Sequence, residues 1–329
     1  MRSMTELAAQ VLQGDRRALA RAITLVESTR PDHQAEADAL LAELMPHTGG
    51  SARVGISGAP GVGKSTLIEV LGVSLVDEGE RVAVLAVDPS STRTGGSILG
   101  DKTRMEELVR RPEAFVRPSP TGGTLGGVAR RTREASLCCE AAGFDVVLVE
   151  TVGVGQSEVA VDGMVDTFVL LVAPASGDEL QGIKRGIMEL ADVVVVTKSD
   201  GDLERAAAAT AADYANALRL IRPKSEALAA AGFTVPVVPC SSTLPRGIDD
   251  VWAAIQTHRT VLAASGELER RRATQARDWM WAEIGTALVE RLRAHPAAAS
   301  EAARLEAEVE AGQLPAPVAA TRVLDAFGA

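Results

Sequence analysis

Residues 58–65 of the chain read Gly58-Ala59-Pro60-Gly61-Val62-Gly63-Lys64-Ser65. This string matches the phosphate-loop pattern GxxxxGK[ST] at every fixed position. An apolar run at 53–57 precedes it, and a helical pattern at 66–71 follows it. Glycines let backbone N–H groups close around an anion, and the start of the next helix adds its positive dipole end. The alternative is a chance Gly-rich turn, but strand, loop and helix in this order predict a nucleoside triphosphate site.

Two side chains of the loop are expected to carry its chemistry. Lys64 can neutralise the β- and γ-phosphates, and the Ser65 hydroxyl can ligate Mg²⁺. The chain has only five lysines, and two of them, Lys64 and Lys198, fall in nucleotide motifs. Because arginine supplies most of the positive charge, these lysines indicate sites that need a compact ammonium.

Short β-branched runs alternate with helical patterns from residue 53 onward. The runs lie at 54–57, 82–87, 115–117, 146–149, 168–172, 193–197 and 235–238. Most are continuously apolar, which is typical of strands that are covered on both faces. We predict an α/β fold, a doubly wound and mainly parallel P-loop NTPase sheet, with ligands at the carboxyl ends of its strands.

Helical patterns flank this alternating region on both sides. Three amphipathic stretches precede the Gly-Gly-Ser linker near residue 50, and a long helical pattern begins after residue 265. The sequence therefore predicts three segments: an N-terminal helical extension at 1–48, a phosphate-loop core at 49–264 and a C-terminal helical arm at 265–329.

The composition narrows the class of partner and the compartment. The chain has 329 residues, 46% of them hydrophobic, and a net charge of −10. An acidic balance argues against a general nucleic-acid binder and against docking on an anionic membrane. The opening residues MRSMTELAAQ are too polar for a signal peptide, and the three cysteines suggest no disulfide frame. We expect a cytoplasmic protein that needs neither nucleic acid nor membrane.

The base-reading signal is Thr197-Lys198-Ser199-Asp200, which follows the apolar run at 193–196. It fits the form [N/T]KxD, in which Asp200 would accept the two guanine donors and the Lys198 stem would lie along the ring. The alternative is a turn with an aspartate helix cap. Ser241 and Ser242 follow another strand pattern, and their backbone N–H groups could meet guanine O6.

Carboxylates at other strand ends are candidates for Mg²⁺. Glu150 and Asp88 each follow an apolar run, although Asp88 could instead cap a helix. Asp101 lies near the end of a polar, glycine-rich loop that we interpret as a switch. It could bind the metal directly or form a hydrogen bond to one of the metal's ligands. The Gly153 N–H could contact the γ-phosphate. Asp178 lies in a second candidate loop at 174–186, where it could also be a helix cap.

Five strings resemble, in order and spacing, the MeaB/ArgK-type G proteins of the metallochaperone-like branch of P-loop GTPases: GAPGVGKST, DPSSTRTGGSILGDKTRM, ETVGVGQSE, GDELQGIK and TKSD. The resemblance runs from about residue 5 to about residue 290. It implies slow, Mg²⁺-dependent hydrolysis of GTP to GDP. It also implies a chaperone of adenosylcobalamin-dependent acyl-CoA mutases, chiefly methylmalonyl-CoA mutase, that gates cofactor loading and protects the enzyme. A homodimer through the helices around Trp279 and Trp281 is implied as well.

The resemblance also assigns roles by position. Phosphate and metal would be held by Lys64, Ser65 and Thr66, and Mg²⁺ would be surrounded by Asp88, Asp101 and Glu150. The second switch would include Gly153, and a third switch, directed toward the mutase, would be formed by Asp178, Gln181 and Lys184. Guanine would be read by Lys198 and Asp200. Two departures stand out. Thr197 replaces the common asparagine, which we expect to weaken one scaffolding hydrogen bond, and Ser241-Ser242 replaces the common Ser-Ala.

Other functions remain open at this point. A nickel-insertion GTPase of the same branch would need Cys or His ligands near a switch, but Cys138-Cys139 lacks a metal-binding spacing and the four histidines are scattered. An amino-acid transport-associated ATPase or kinase would need a substrate pocket that the sequence does not indicate. A non-catalytic scaffold would use nucleotide only for dimer structure.

No glutamine directly follows the Glu150–Gly153 motif, so we expect slow intrinsic hydrolysis of GTP, with Lys64, Glu150 and Gly153 as the main catalytic groups.

Overall fold

A computed structural model describes residues 4–28, 30–87, 105–118, 125–151, 157–174, 185–221 and 223–328. Among them, seven strands form one sheet: β1 (Ala52–Gly58), β2 (Val82–Val87), β3 (Ala114–Arg117), β4 (Val146–Thr151), β5 (Thr167–Val172), β6 (Val193–Val196) and β7 (Val237–Pro239). Their order is β3-β2-β4-β1-β5-β6-β7, and each pair of neighbours is parallel. The predicted doubly wound α/β sheet is confirmed, and it is parallel throughout this part of the chain.

Helices in the described residues surround the sheet or extend beyond it. They are α1 (Met4–Leu12), α2 (Arg16–Val26), α3 (Pro31–Leu44), α4 (Lys64–Asp77), α5 (Glu106–Arg110), α6 (Leu125–Ala141), α7 (Ser157–Asp162), α8 (Arg185–Leu190), α9 (Glu204–Leu218), α10 (Glu226–Ala230), α11 (Ile248–Ala264), α12 (Glu267–Ala294), α13 (Pro296–Glu310) and α14 (Ala316–Gly328). Short 3-10 turns lie at Met45–His47 and Gly201–Leu203. None of these helices is long and apolar enough to cross a membrane.

The apolar strands are explained by burial on both faces of the sheet. In β5, Phe168 and Leu170 belong to one hydrophobic cluster, whereas Val169 and Leu171 belong to the other. Successive side chains of a strand point to opposite faces, so a strand with two covered faces needs an unbroken apolar run. Helix α4 packs in the second cluster, and α6 and α7 pack in the first.

The N-terminal helices share a core with the sheet. Leu19 and Ile23 of α2 are fully buried in the same cluster as Val147 of β4. Helix α2 begins after Asp15, whose carboxylate accepts a hydrogen bond of 2.7 Å from the Ala18 N–H, an N-cap worth about 1 kcal/mol. These helices are therefore held on the sheet by the same apolar packing that holds the sheet together.

The position of strand β1 in the sheet determines where the phosphate loop lies. It lies between β4 and β5, with Ile56 opposite Glu150 and Gly58 opposite Leu171. Because parallel strands end on the same edge, the loop after β1 emerges beside the carboxyl ends of its neighbours. The topology thus gathers the predicted nucleotide motifs at one edge.

The chain divides into two compact units, one through Arg272 and one from Ala273 onward. In the second unit, Leu305 of α13 is buried and the rings of His295 and Phe327 meet edge to face at 5.4 Å. The predicted boundaries near residues 48 and 264 stay a prediction.

Candidate nucleotide-binding site

The phosphate loop has the predicted strand–loop–helix form. Strand β1 ends at Gly58, and α4 begins at Lys64 directly after Gly63, whose φ of +105° is one that L side chains rarely adopt. A Cβ on Gly58 would lie 2.6 Å from the carbonyl oxygen of Leu171, closer than any side chain tolerates. Both glycines are thus required by the backbone path itself, and the first N–H groups of α4 point toward the loop that the path encloses.

Lys64 is buried inside the loop. Only 7% of the residue is exposed, and its Nζ donates to the carbonyl oxygens of Gly58 at 2.7 Å and Ala59 at 3.1 Å. Burial lowers the pKa of Lys64, while the charges of Glu150 and Glu158 oppose this shift. The ammonium group is therefore surrounded by carbonyl oxygens of the loop, in the position from which it can contact a bound phosphate.

Ser65 and Glu150 form a second polar contact in the site. The Ser65 hydroxyl donates to Oε1 of Glu150 at 2.8 Å, which joins the start of α4 to the end of β4. Glu150 is 6% exposed and lies within β4, which continues to Thr151 instead of ending at residue 149 as expected. A hydroxyl and a carboxylate at this distance are hard oxygen donors of the kind that Mg²⁺ takes, so the pair fits that ion.

The loop after β6 is attached to the phosphate loop by two hydrogen bonds. The Thr197 hydroxyl donates to the carbonyl of Val62 at 2.7 Å, and Nζ of Lys198 donates to the carbonyl of Gly61 at 2.8 Å. Lys198 has a φ of +53°, a left-handed conformation that is uncommon outside glycine. The Thr197 hydroxyl thus links this loop to the phosphate loop, and the expected weakening relative to asparagine stays a prediction.

Asp200 is oriented by the loop that follows β7. The Ser241 hydroxyl donates to Oδ2 of Asp200, and the Ser199 N–H donates to the carbonyl of Cys240 at 3.0 Å. Asp200 precedes a 3-10 turn, but its side chain makes no capping hydrogen bond to that turn. The alternative of a simple helix cap is therefore wrong. The carboxylate keeps acceptor capacity beyond the Ser241 bond, and a carboxylate is the group that can accept from the paired N–H donors of guanine.

The floor of the site is polar. Ser57 and Thr151 lie at the ends of adjacent strands, and the Thr151 hydroxyl donates to the Ser57 hydroxyl at 2.8 Å with both residues fully buried. The contact ties the end of β1 to the end of β4 directly beneath the loop. The sequence analysis gave neither residue a role, since such a pairing depends on which strands are neighbours.

Several predicted site residues cannot be placed on this framework. Asp88, Asp101, Gly153, Asp178, Gln181 and Lys184 lie outside the described residues. Within the described part of the chain, no group of three or more His, Cys, Asp or Glu side chains could hold a metal ion. The structure thus brings together the phosphate loop, Glu150, the Thr197–Asp200 loop and Ser241.

Glu158 is a buried carboxylate that the sequence analysis overlooked. It is 3% exposed and lies in the first turn of α7, and its charge partly opposes the lowering of the Lys64 pKa by burial. The available signal was helical spacing: Val161 lies three residues later on the same face and is fully buried. A glutamate on the apolar face of a helix was therefore visible in the sequence.

Comparisons with known proteins agree with this geometry. The family model described as methylmalonyl-CoA mutase-associated GTPase MeaB matches residues 19–297. GTPase ArgK of Escherichia coli is 49% identical, over 84% of this chain and 82% of that protein. The mitochondrial methylmalonic aciduria type A homolog of Mus musculus is 48% identical, over 96% of this chain and 78% of that protein.

A solved structure extends the similarity to the fold. The crystal structure of LAO/AO transport system kinase superposes with a TM-score of 0.77 at 37% identity, covering 99% of this chain and 98% of that one. The family match, these relatives and the geometry of the phosphate loop point the same way. The chain belongs to the MeaB family of methylmalonyl-CoA mutase-associated GTPases, and it is a GTP-hydrolysing P-loop enzyme.

Proposed function

We propose that this GTPase acts as a chaperone and switch for an adenosylcobalamin-dependent acyl-CoA mutase, with methylmalonyl-CoA mutase as the partner. In this role it gates cofactor loading and protects the mutase. The observation that carries the proposal is the family match over residues 19–297, whose description names the association with methylmalonyl-CoA mutase. The mouse relative, named for methylmalonic aciduria, supports the same partner.

Two groups of residues in the site bind opposite ends of GTP, one the phosphates and the other the guanine base. Lys64 releases the carbonyls of Gly58 and Ala59 and turns to the β- and γ-phosphates, which is a short move for a flexible side chain. At the other end, Asp200 accepts from the guanine N1–H and exocyclic amine while Ser241 keeps the carboxylate in place. ATP offers no such pair of donors, so the site selects guanine.

We include Mg²⁺ in the proposal as the metal of the site. Ser65 and Glu150 would hold it, the hydroxyl directly and the carboxylate directly or through water. When bound, the ion supplies positive charge against the phosphate oxygens of the substrate. Asp88 and Asp101 are the further acidic groups that we propose for its surroundings, and the Gly153 N–H remains our candidate contact to the γ-phosphate.

Intrinsic hydrolysis is proposed to be slow and to respond to the partner. In-line attack on the γ-phosphate depends on positioning and charge neutralisation, so ordering of the switch segments by a bound mutase would raise the rate. We assign the relay of the nucleotide state to Asp178, Gln181 and Lys184. We also place the protein in the cytoplasm.

A homodimer through the C-terminal arm is part of the proposal. Within α12, apolar side chains are exposed on the second unit: Met280, Trp281, Leu288 and Val289. Trp281 is 62% exposed, whereas the indole N–H of Trp279 is occupied by Glu283 at 3.0 Å. Contiguous exposed apolar patches mark interaction surfaces, and we propose that these side chains form one. Sedimentation of the purified protein, with Trp281→Glu as the disrupting variant, tests the dimer.

One experiment separates the proposed function from its alternatives. Purified protein is mixed with Mg²⁺ and GTP or ATP, with and without methylmalonyl-CoA mutase, and phosphate release is measured. We expect phosphate release from GTP, at a rate that rises when the mutase is added. With the Lys64→Ala variant, the mutase should not raise the rate. Unchanged release with the mutase would contradict the chaperone role and would favour a nickel-insertion GTPase, a transport-associated kinase or a scaffold.

A further inference from the structure

Helix α7 lies directly against the strand that leads into the phosphate loop. A Cβ on Gly55 of β1 would be 2.7 Å from Cγ1 of Val161, so α7 and β1 touch at a point where only glycine fits. Since α7 connects two parallel strands, it runs opposite to them, and its first turn lies nearer the carboxyl edge than Val161 does. Glu158 therefore lies nearer than Val161 to the edge of the sheet at which the phosphate loop emerges, and it is within electrostatic range of Lys64.

The carboxylate of Glu158 is both buried and incompletely satisfied. The residue is 3% exposed, and its Oε2 has no hydrogen-bond partner among the described residues. Leaving a buried acceptor without a donor costs about 1–3 kcal/mol, more for a charged group. A buried group of this kind calls for an explanation, and a catalytic role is one of those known.

The neighbours of Glu158 show what kind of partner it lacks. Lys64 is close enough to interact with it electrostatically, but the lysine ammonium donates to the carbonyls of Gly58 and Ala59. Glu150, the other carboxylate that acts on Lys64, already accepts from Ser65 at 2.8 Å. Of these two carboxylates, Glu158 is the one that keeps an unoccupied oxygen beside the phosphate-binding lysine.

We propose that Glu158 is a catalytic residue of GTP hydrolysis: its unoccupied carboxylate oxygen accepts a hydrogen bond from the attacking water and orients it toward the γ-phosphorus. The water oxygen forms the new bond to phosphorus. The bond from phosphorus to the β–γ bridging oxygen breaks, and its electron pair stays on GDP. Both water protons end on inorganic phosphate, and Glu158 is unchanged. The carboxylate thus takes the role that a switch glutamine has in fast GTPases, because in this chain a valine, Val154, directly follows Gly153.

The inference rests on GTP hydrolysis by the isolated protein and not on the mutase, so failure of the partner experiment leaves it intact. Three variants are compared at saturating GTP and Mg²⁺: Glu158→Ala, Glu158→Gln and Glu158→Asp. Val159→Ala is the matched control, because Val159 is the next residue of α7 and is 64% exposed. Phosphate release gives kcat, and GDP titration gives Kd.

We expect Glu158→Ala to lower kcat by about 100-fold, the usual scale for loss of a positioned acceptor, with the Kd for GDP within about threefold of the original. Glu158→Gln keeps a carbonyl acceptor in the same place and should stay within about tenfold of the original kcat. Glu158→Asp keeps the charge beside Lys64 but withdraws the oxygen, so it should resemble Glu158→Ala. Val159→Ala should change neither quantity.

Three results would overturn the inference. The first is a Glu158→Ala variant with an unchanged kcat. The second is a Glu158→Asp variant with full activity, since charge alone would then suffice. The third is equal loss of GDP affinity and kcat, which would show that Glu158 only shapes the binding loop. Thermal unfolding serves as the control for a folding defect, because removal of a buried carboxylate with an unsatisfied oxygen should leave the Tm unchanged or higher.

Discussion

The hydroxyl of Thr197 donates a hydrogen bond of 2.7 Å to the main-chain carbonyl of Val62, which lies 135 residues earlier in the chain. Lys198 adds a second link of 2.8 Å to Gly61. The loop that we propose to read the base is thus linked by two hydrogen bonds to the phosphate loop. A nucleotide that binds both loops meets a site whose spacing is already set, which lowers the entropy cost of binding.

The Thr197 link should contribute measurably to nucleotide affinity. Replacing Thr197 by Val keeps the shape of the side chain but removes the donor, and a neutral hydrogen bond contributes about 0.5–1.5 kcal/mol. We expect the Kd for GDP to rise about three- to tenfold in a fluorescence titration. Thr197→Ser keeps the hydroxyl and should bind GDP as the original protein does. Equal affinity of the valine and serine variants would contradict the proposed coupling.

The Ser241 hydroxyl should control the preference for guanine. It donates to the carboxylate of Asp200, and a hydrogen bond to a charged group contributes about 1.5–3 kcal/mol. In competition binding with GDP and ADP, Ser241→Ala should lose about 10- to 100-fold in guanine affinity with little change for adenine.

Ser242 offers the matched control for this measurement. Its predicted contact uses the backbone, so Ser242→Ala should change GDP affinity less than about twofold. Identical behaviour of the two alanine variants would show that the Ser241 hydroxyl does not orient Asp200.

His258 should make the folded protein sensitive to mild acid. Burial lowers its pKa to about 4, and Asp192 only partly opposes the shift. Below the unfolded pKa near 6.5 the unfolded chain binds a proton that the folded protein refuses, so stability falls as the pH drops from 6.5 toward 4. From pH 7.5 to pH 5 this group alone should remove about 2 kcal/mol from the free energy of unfolding.

Urea unfolding at these two pH values tests the role of His258. The His258→Gln variant should lose less stability than the original protein over the same interval, whatever its absolute stability. His47, which is exposed, provides the control: His47→Gln should keep the original pH dependence. A His258→Gln variant with the same pH dependence would assign the acid sensitivity to other groups.

The ion pair of Arg272 with Asp166 should be important for stability. Asp166 is fully buried, accepts from Nε and Nη2 of Arg272 at 2.8 and 2.7 Å, and also accepts from the Arg53 N–H at 3.0 Å. Arg272→Met would leave this carboxylate uncompensated, at a cost of about 3–5 kcal/mol. Arg270→Met, at an exposed neighbour, should cost less than about 0.5 kcal/mol in the same thermal denaturation experiment. Similar costs for the two variants would refute the assignment.

Much of the fold could be predicted from the sequence because its signals are local. The run at 82–87 coincides with β2, and the helix after the phosphate loop begins at Lys64, directly after the glycine that the pattern requires. Hydrophobic runs and glycine positions act within a few residues, where the period of a strand or a helix is legible. The Lys64, Ser65 and Asp200 assignments followed from such strings.

Contacts between distant strands could not be predicted in the same way. The Thr197–Val62 bond, the Ser57–Thr151 pair and the Ser241–Asp200 bond each depend on the strand order, which is set by packing of the whole sheet. The extension of β4 through Glu150 and Thr151 was missed for a related reason. These polar residues end a buried strand, where pairing with β1 and β2 outweighs the weak strand propensity of Glu150.

The most direct test of the account is phosphate release by the purified protein in Mg²⁺ with GTP, with ATP, and with GTP after the Lys64→Ala change. The account predicts steady release from GTP, release from ATP at least about tenfold slower, and none above background from the variant. Equal rates with the two nucleotides, or unchanged release after loss of Lys64, would contradict the assignment of both loops.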